Sequence, residues 1–355
     1  MIRLVQIGSD HLHAAAYRET LWALRERITV VGFLARPEDP TTRLAGPFAD
    51  VPVYHDLDEL LAATRPDAAQ VMLRNDEMGA MLARLAGEGI HLWAEKPEAR
   101  RADDLLPARD LIARKELVFT AGYQSRFYPT TAYVRDLVRE GLLGPLTFAQ
   151  MTTATTTITL RDPRGLYGYL FDEDRSGGGV FHWLGCHMVD LLTHIAGEAP
   201  IGVQALTATA GEEAVAVEDV AAVTLRFASG WLASLNYSYL LPTREASPFG
   251  DDAPESALYG QQGWVRWNSA TDEARAYSTD PRWAASPWQR RAFATPAAAG
   301  YGHAARLALL NFCDAIAGIA APAYRIDEAI MVLRIIEAAY ESARTGKFVA
   351  LAPRD

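Results

Sequence analysis

Gly89-Ile90-His91-Leu92-Trp93-Ala94-Glu95-Lys96-Pro97 is the stretch on which the reading of this chain turns. A short apolar run with glycine before it and proline after it reads as a buried strand. Strand ends in open α/β sheets are where ligands bind. A lysine at such an end sits in a crevice, where it can serve as an acid, a base or a hydrogen-bond donor. The tripeptide Glu95-Lys96-Pro97 on its own reads equally well as a surface ion pair before a turn proline, so its surroundings have to decide.

Around this stretch, strand and helix alternate over the first third of the chain. Ile2 to Gly8 reads as a strand that ends in glycine, His13 to Arg25 as a helix, and Ile28 to Leu34 as a second strand. Leu57 to Thr64 is a short helix with Asp56 as its N-cap. Ala68 to Leu73 is a strand, Met78 to Gly87 a helix, Gly89 to Ala94 the central strand, Ala102 to Lys115 a helix, and Val118 to Gly122 a last strand. This alternation predicts an α/β fold with a doubly wound parallel sheet of the Rossmann type, with a crevice at the strand C-termini.

A dinucleotide site would be marked by G-x-G-x-x-G in the first turn. The turn reads Gly8-Ser9-Asp10-His11-Leu12-His13, and only the first glycine is present. Asp10 stands where the second glycine lets backbone approach a pyrophosphate, and His13 stands where the third allows close helix packing. Two readings stay open: a lone glycine that any α/β protein needs to leave its first strand, or a turn in which His11 or His13 meets the phosphates with help from the helix N-terminus. The second strand ends Leu34-Ala35-Arg36-Pro37, with an arginine where an acid would bond the ribose. That tilts a dinucleotide toward NADP, although a solvated loop arginine is as common.

Bulk properties narrow the class. The chain has 355 residues, enough for two full cores, and is 50% hydrophobic and 22% charged. The formal charge is −10 and no dense basic run occurs, which disfavours nucleic acid or an anionic membrane as partner. The opening apolar stretch is too short for a signal segment, and no run reaches membrane-spanning length. Cys186 and Cys313, the two cysteines, cannot form a disulfide framework. A cytoplasmic enzyme is expected.

Four landmarks in order carry a resemblance. They are Glu95-Lys96-Pro97 after a strand, Gly122-Tyr123-Gln124-Ser125-Arg126-Phe127-Tyr128-Pro129, the run from Gly177-Gly178-Gly179 to Asp190, and Leu258-Tyr259-Gly260-Gln261-Gln262-Gly263-Trp264-Val265. Across nearly the whole chain the sequence resembles the family of glucose–fructose oxidoreductase and inositol dehydrogenase, Gfo/Idh/MocA. The resemblance implies a two-domain dehydrogenase that passes a hydride between NAD or NADP and a hydroxyl of a sugar or polyol. It places the cofactor at Gly8, Ser9, Asp10, His11, Leu12, Arg36, Asn75, Glu95, Lys96 and Pro97. It gives proton work to Lys96 and His187. The family's aspartate position is Trp183 here, which cannot titrate, and the usual histidine after the strand at 68–73 is missing, with Met78 near its place.

If residues 180–195 are helical, Trp183, His187, Asp190 and His194 share one stripe and His182 and Cys186 the next. Trp183 could then stack on a sugar ring. His187 is the best titratable group facing the same way, Asp190 a support for it, and His194 a core histidine. His182, Cys186 and Asp190 have a ligand-like spacing, but one apolar helix carrying His and Cys is ordinarily core, so no metal is expected. Arg126, Arg164, Tyr167, Tyr169, His182 and Trp183 are candidate sugar contacts, with surface or interface packing the rival reading for the arginines and tyrosines.

The predicted division is 1–122 for the dinucleotide domain and 123–355 for an α+β domain with a large, open, mostly antiparallel sheet. Its last helices, Ala304 to Ala317 and Asp327 to Thr345, pack back toward the first domain, and residues 347–351 could close the sheet. The resemblance implies a homodimer or homotetramer built on that sheet. The segment 243–254 reads as an exposed excursion, a lid or an intersubunit arm, and 280–301 as an irregular region whose Trp283 and Trp288 suggest docking on a neighbour or closing a pocket. Two rivals accompany the dehydrogenase expectation: a redox-neutral enzyme that oxidises and re-reduces a glycoside, and a ligand-binding relative without chemistry.

Overall fold

The computed structural model describes residues 1–8, 11–36, 46–155, 167–213, 215–241, 255–268 and 272–351. Ser9, Asp10, Arg164 and the excursion at 243–254 lie outside them. The chain divides into two compact units: residues 1–124, 174–177 and 296–333 form one, and 125–173, 178–295 and 334–355 the other.

The first unit is built on six strands: β1 (Ile2–Ile7), β2 (Ile28–Leu34), β3 (Val53–Tyr54), β4 (Ala68–Val71), β5 (His91–Ala94) and β6 (Phe119–Ala121). They pair in the order β3-β2-β1-β4-β5-β6, every pair parallel. Both faces of such a sheet are covered, so its strands are runs of apolar residues without alternation; all four residues of β4 are buried. The helices α1 (Ala14–Ala23), α2 (Leu57–Thr64), α3 (Asn75–Gly87) and α4 (Leu106–Arg114) follow β1, β3, β4 and β5. Asp56 caps α2 as expected, accepting a bond from Glu59 N at 2.9 Å. Helix α3 begins at Asn75, three residues earlier than the apolar period suggests, and a 3₁₀ turn at Ala102–Leu105 precedes α4. After its passage through the second unit the chain returns at 296. Phe312 then packs edge-on to Trp93 with ring centres 6.0 Å apart, and Asp314 pairs with Arg27 at 2.6 Å.

Nine strands form the sheet of the second unit, in the order β14-β13-β12-β11-β7-β10-β9-β8-β15. They are β7 (Leu146–Ala154), β8 (Pro200–Ala208), β9 (Val220–Phe227), β10 (Leu232–Ser238), β11 (Glu255–Gly260), β12 (Gly263–Asn268), β13 (Glu273–Ser278), β14 (Trp288–Ala292) and β15 (Val349–Ala350). Only β7 and β10 run parallel; every other neighbouring pair is antiparallel. Burial alternates along β9 and β10, which is the mark of a sheet covered on one face. The helices here are α5 (Pro129–Arg139), a single turn α6 (Glu173–Ser176) counted with the first unit, and α7 (Cys186–Ala196); α8 (Gly302–Ile316) belongs to the first unit. The closing helix is α9 (Ile326–Thr345), and its Ser342 accepts from Ala205 N at 3.0 Å, tying that helix to β8. Among the described residues no helix is long and apolar enough to cross a membrane.

Candidate active site

In the first unit the candidate residues gather at the C-terminal edge of the parallel sheet. Strands β1 and β4 are neighbours there, while the chain goes from β1 to β2 on the other side; this reversal is where open α/β sheets bind ligands. Gly8 leaves β1 with φ +87°, and a Cβ on it would lie 2.2 Å from the carbonyl oxygen of Met72 after β4. The turn therefore requires glycine twice over, for its left-handed backbone and for the close approach. At the N-cap of α1, His13 makes no side-chain cap. The helix start presents the positive end of its dipole toward this edge, which favours an anion. A reversal point, a glycine turn and an uncapped helix fit a dinucleotide.

Beyond β5, Glu95 N continues the ladder to Val71 O at 2.8 Å, and Lys96 joins Pro97 through a cis peptide. Lys96 is only 3% exposed. Burial pushes the Glu95 carboxyl up from the usual range, and the charges of His11 and Lys96 draw it back down. His13 does not face outward: its Nδ1 lies 2.9 Å from Glu95 Oε1 and its Nε2 3.0 Å from the Tyr301 hydroxyl. Arg36, at the end of β2, bonds Glu77 at 2.6 Å, and Arg74 takes the other oxygen of the same carboxylate at 2.8 Å. Asn75 is buried and donates from Nδ2 to Ser176 O at 2.9 Å, which ties α6 to the start of α3.

The glycine triplet has a packing cause in the second unit. A Cβ on Gly178 would fall 2.2 Å from the Tyr340 hydroxyl, and one on Gly179 would fall 2.0 Å from Glu218 O. The Glu218 carboxylate accepts from Gly179 N at 2.8 Å, Phe181 N at 2.9 Å and the Tyr340 hydroxyl at 2.7 Å. Tyr340 in turn accepts from His182 N at 3.0 Å. Burial raises the Glu218 carboxyl, opposed by these bonds.

The helix so mounted starts with a π-helical turn, Phe181–Gly185, before α7 takes over. A π turn holds more residues than an α turn, so Trp183 and His187 are not stacked as a plain α-helix would stack them. Trp183 and His182 are buried, and His187 is half-buried. Arg126 lies in a buried ion pair with Asp190, its Nε 3.0 Å from Oδ1 and 3.1 Å from Oδ2. His194 is pushed down to about 3 by burial, then by Arg126 and Arg135, and is neutral at physiological pH. Tyr169 is buried and Tyr167 half-buried around a short turn at 168–171.

The structure thus brings His13 to Glu95 and Arg126 to Asp190, and it places Lys96 in the first unit and His187 in the second. Sequence reading missed Tyr301, Glu218 and Tyr340, whose partners are far away along the chain. Among the described residues, the His/Cys/Asp/Glu group close enough to hold an ion is His11, His13 and Glu95, rather than the set around Cys186.

Comparison with known proteins adds the chemistry. Residues 3–123 match the family described as an oxidoreductase family with an NAD-binding Rossmann fold, and residues 131–266 match the GFO/IDH/MocA C-terminal domain. A D-xylose 1-dehydrogenase (NADP(+)) of Haloferax volcanii is 25% identical over 326 residues, 89% of this chain and 90% of that one. A levoglucosan dehydrogenase of Pseudarthrobacter phenanthrenivorans is 24% identical over 77% of each chain. The structure of levoglucosan dehydrogenase in complex with NADH superposes with a TM-score of 0.85 over 99% of both chains at 18% identity. The aldose-aldose oxidoreductase of Caulobacter crescentus, complexed with glycerol, gives 0.82 at 22% identity over 99% of this chain and 100% of that one.

Proposed function

The chain is a member of the Gfo/Idh/MocA family of NAD(P)-binding oxidoreductases, and from that premise we propose that it exchanges a hydride with a secondary hydroxyl, or its ketone, on a sugar, polyol or glycoside. The observation that carries this reading is Lys96, buried at the end of β5 on a sheet whose reversal point, Gly8 turn and uncapped α1 fit a dinucleotide. The nicotinamide supplies the hydride acceptor or donor. Lys96 hydrogen-bonds the reacting oxygen, and His187 takes or returns its proton. Trp183 offers an indole face to the sugar. Arg36 and Arg74, both on Glu77, hold two guanidinium groups beside the end of β2, which favours NADP over NAD.

The curated relatives support the substrate class: those named above are dehydrogenases of a pentose and of an anhydrosugar. Trp183, which cannot titrate, favours one second reading: a redox-neutral cycle in which the cofactor is regenerated on the same glycoside. We place the assembly interface, of a homodimer or homotetramer, on the outer face of the nine-stranded sheet, where Phe148, Leu206 and Leu232 are exposed. Cys186 and Cys313 are both buried and unbridged, which fits a cytoplasmic setting.

The test starts with calorimetry of NAD, NADH, NADP and NADPH on the purified chain, followed by a polyol and glycoside screen read by the absorbance of reduced nicotinamide. Micromolar binding of the NADP pair is expected, and Lys96→Ala and His187→Ala should each lower turnover by about 10²- to 10⁴-fold without unfolding. No binding of any of the four by folded protein removes the dehydrogenase reading. Glycoside consumption without net reduced cofactor selects the redox-neutral cycle.

A further inference from the structure

His13 occupies the place of the fingerprint's third glycine, and its ring is turned into the protein. Both ring nitrogens are engaged, Nδ1 with Glu95 Oε1 at 2.9 Å and Nε2 with the Tyr301 hydroxyl at 3.0 Å. The contacts are well anchored. Tyr301 donates its backbone N–H to Thr20 Oγ1 at 3.0 Å, and its ring lies against Tyr17 with centres 4.9 Å apart. His13 donates its own N–H to His11 Nδ1 at 3.2 Å. Glu95 is 2% exposed, and its second oxygen, Oε2, finds no hydrogen-bond donor among the described residues. A Cβ on Gly122 would sit 3.2 Å from that oxygen and 3.3 Å from the Tyr17 hydroxyl. The carboxylate is therefore walled in, with the His13 ring at Oε1 and the Lys96 backbone N–H also drawn to it.

We propose that Tyr301, His13 and Glu95 form a hydrogen-bonded proton relay behind Lys96, which takes up or releases one proton by reversing its bonds and makes His13 and Tyr301 positioning residues for that lysine. The same heavy-atom positions serve two states. In one, the Tyr301 hydroxyl donates to Nε2, Nδ1–H donates to the Glu95 carboxylate, and the three groups together carry one negative charge. With one more proton the imidazolium donates to both neighbours, the tyrosine oxygen accepts, and the net charge is zero. Passage between the states needs one proton and a rotation of the tyrosine hydroxyl. Lys96, the next residue in the chain, thus has a net anion beside it in the first state and none in the second. Among the described residues, the other titratable groups facing the relay are His11 in the first turn, Lys96 after β5 and Tyr17 on α1.

The rival for the same atoms is a metal ion on His11, His13 and Glu95, whose ligand atoms lie within 4.8 Å of one another. The bonds in place argue against it. An ion on His13 Nδ1 would displace the Glu95 bond and require that nitrogen to lose its proton. His11 Nδ1 already accepts from His13 N.

The proposal uses the dehydrogenase reading only for the role of Lys96, and the relay is testable without turnover. The full chain, labelled with ¹⁵N-histidine, is titrated by NMR, with His13 assigned by His13→Gln. The neutral His13 should carry its proton on Nδ1, and in Glu95→Gln its titration midpoint should fall by about one pH unit or more with loss of the anionic partner. Tyr301→Phe, which keeps the ring, should shift the His13 midpoint and, in the same direction, the pH midpoint of kcat/KM; a purely structural role would lower Tm and leave both midpoints in place. A neutral His13 protonated on Nε2, or a midpoint unmoved by Glu95→Gln, overturns the relay, as does stoichiometric metal by elemental analysis. An intact relay in a protein that turns over no polyol or glycoside removes the dehydrogenase reading alone. Turnover with a pH profile unmoved by Tyr301→Phe removes the positioning role alone.

Discussion

Two helix starts in this protein stand next to buried carboxylates, and they use them in opposite ways. At α1, among the described residues, the carboxylate of Glu95 meets the side chain of His13, which makes no cap to the first turn. At Phe181 the carboxylate of Glu218 bonds the backbone itself, taking Gly179 N and Phe181 N while Tyr340 takes His182 N. A helix N-terminus is an anion site only while its N–H groups are available. The first keeps its carboxylate off the helix backbone. The second has its anion built in and works as a rigid mount for Trp183 and His187. Helix α2, capped by Asp56 in the ordinary manner, stands between these extremes.

Among variants that separate the two helix starts, the largest effect should come from the mount. Glu218→Ala strands two backbone donors and the Tyr340 hydroxyl, which should cost about 3 to 6 kcal/mol in urea unfolding; a loss below about 1 kcal/mol would show that the mount is not what holds this helix. Next in size, Arg126→Met leaves Asp190 buried without its cation and should cost about 3 to 5 kcal/mol. The double variant with Asp190→Leu should recover most of that, and failure to recover would mean that the pair does more than neutralise itself. Asp56→Ala, the ordinary cap, should cost about 1 kcal/mol in the same assay.

Set apart from these single costs is a slope with pH. His194 sits near 3 in the folded protein against an ordinary 6.5, so between those values the unfolded chain holds a proton that the folded one does not. Stability should fall as pH drops through that window, by at most about 1.4 kcal/mol per pH unit, and His194→Leu should flatten the fall. Equal slopes in the two proteins would show that His194 is not the group responsible. Glu218 acts with the opposite sign: its carboxyl is raised in the fold, so its contribution is full below the ordinary carboxylate range and is lost as pH rises through the raised value.

What could be read from the sequence was what neighbours decide. The strands of the first unit are apolar runs between turn residues, and the Asp56 cap acts on a residue three positions away, so both show in a local window. Glycine at 178 and 179 was visible as a motif, but its cause was not, because Tyr340 and Glu218 fill those spaces from distant parts of the chain. The π turn at Phe181–Gly185 escaped for a related reason. Gly185 packs so close to the Phe181 ring that a Cβ would lie 2.4 Å from it, a contact that apolar spacing does not record. Arg126 was read as a sugar contact or a packing residue, and its pairing with Asp190, 64 positions on, left no mark in a local window. Tyr301 closes a segment read only as irregular, and its partner His13 is 288 residues earlier.

The parallel pairing of β7 with β10 also bears on how the second unit forms. Phe148 aligns with Leu232, so joining these two strands closes a loop containing the glycine-led helix, β8 and β9. Such long-range closure is entropically slow but only logarithmically sensitive to length. Folding of the second unit should therefore be limited by this one step, with the final stability depending only weakly on the length of the closed loop. In kinetic terms, the helix that carries His187 gains its tertiary setting when the centre of the sheet closes around it.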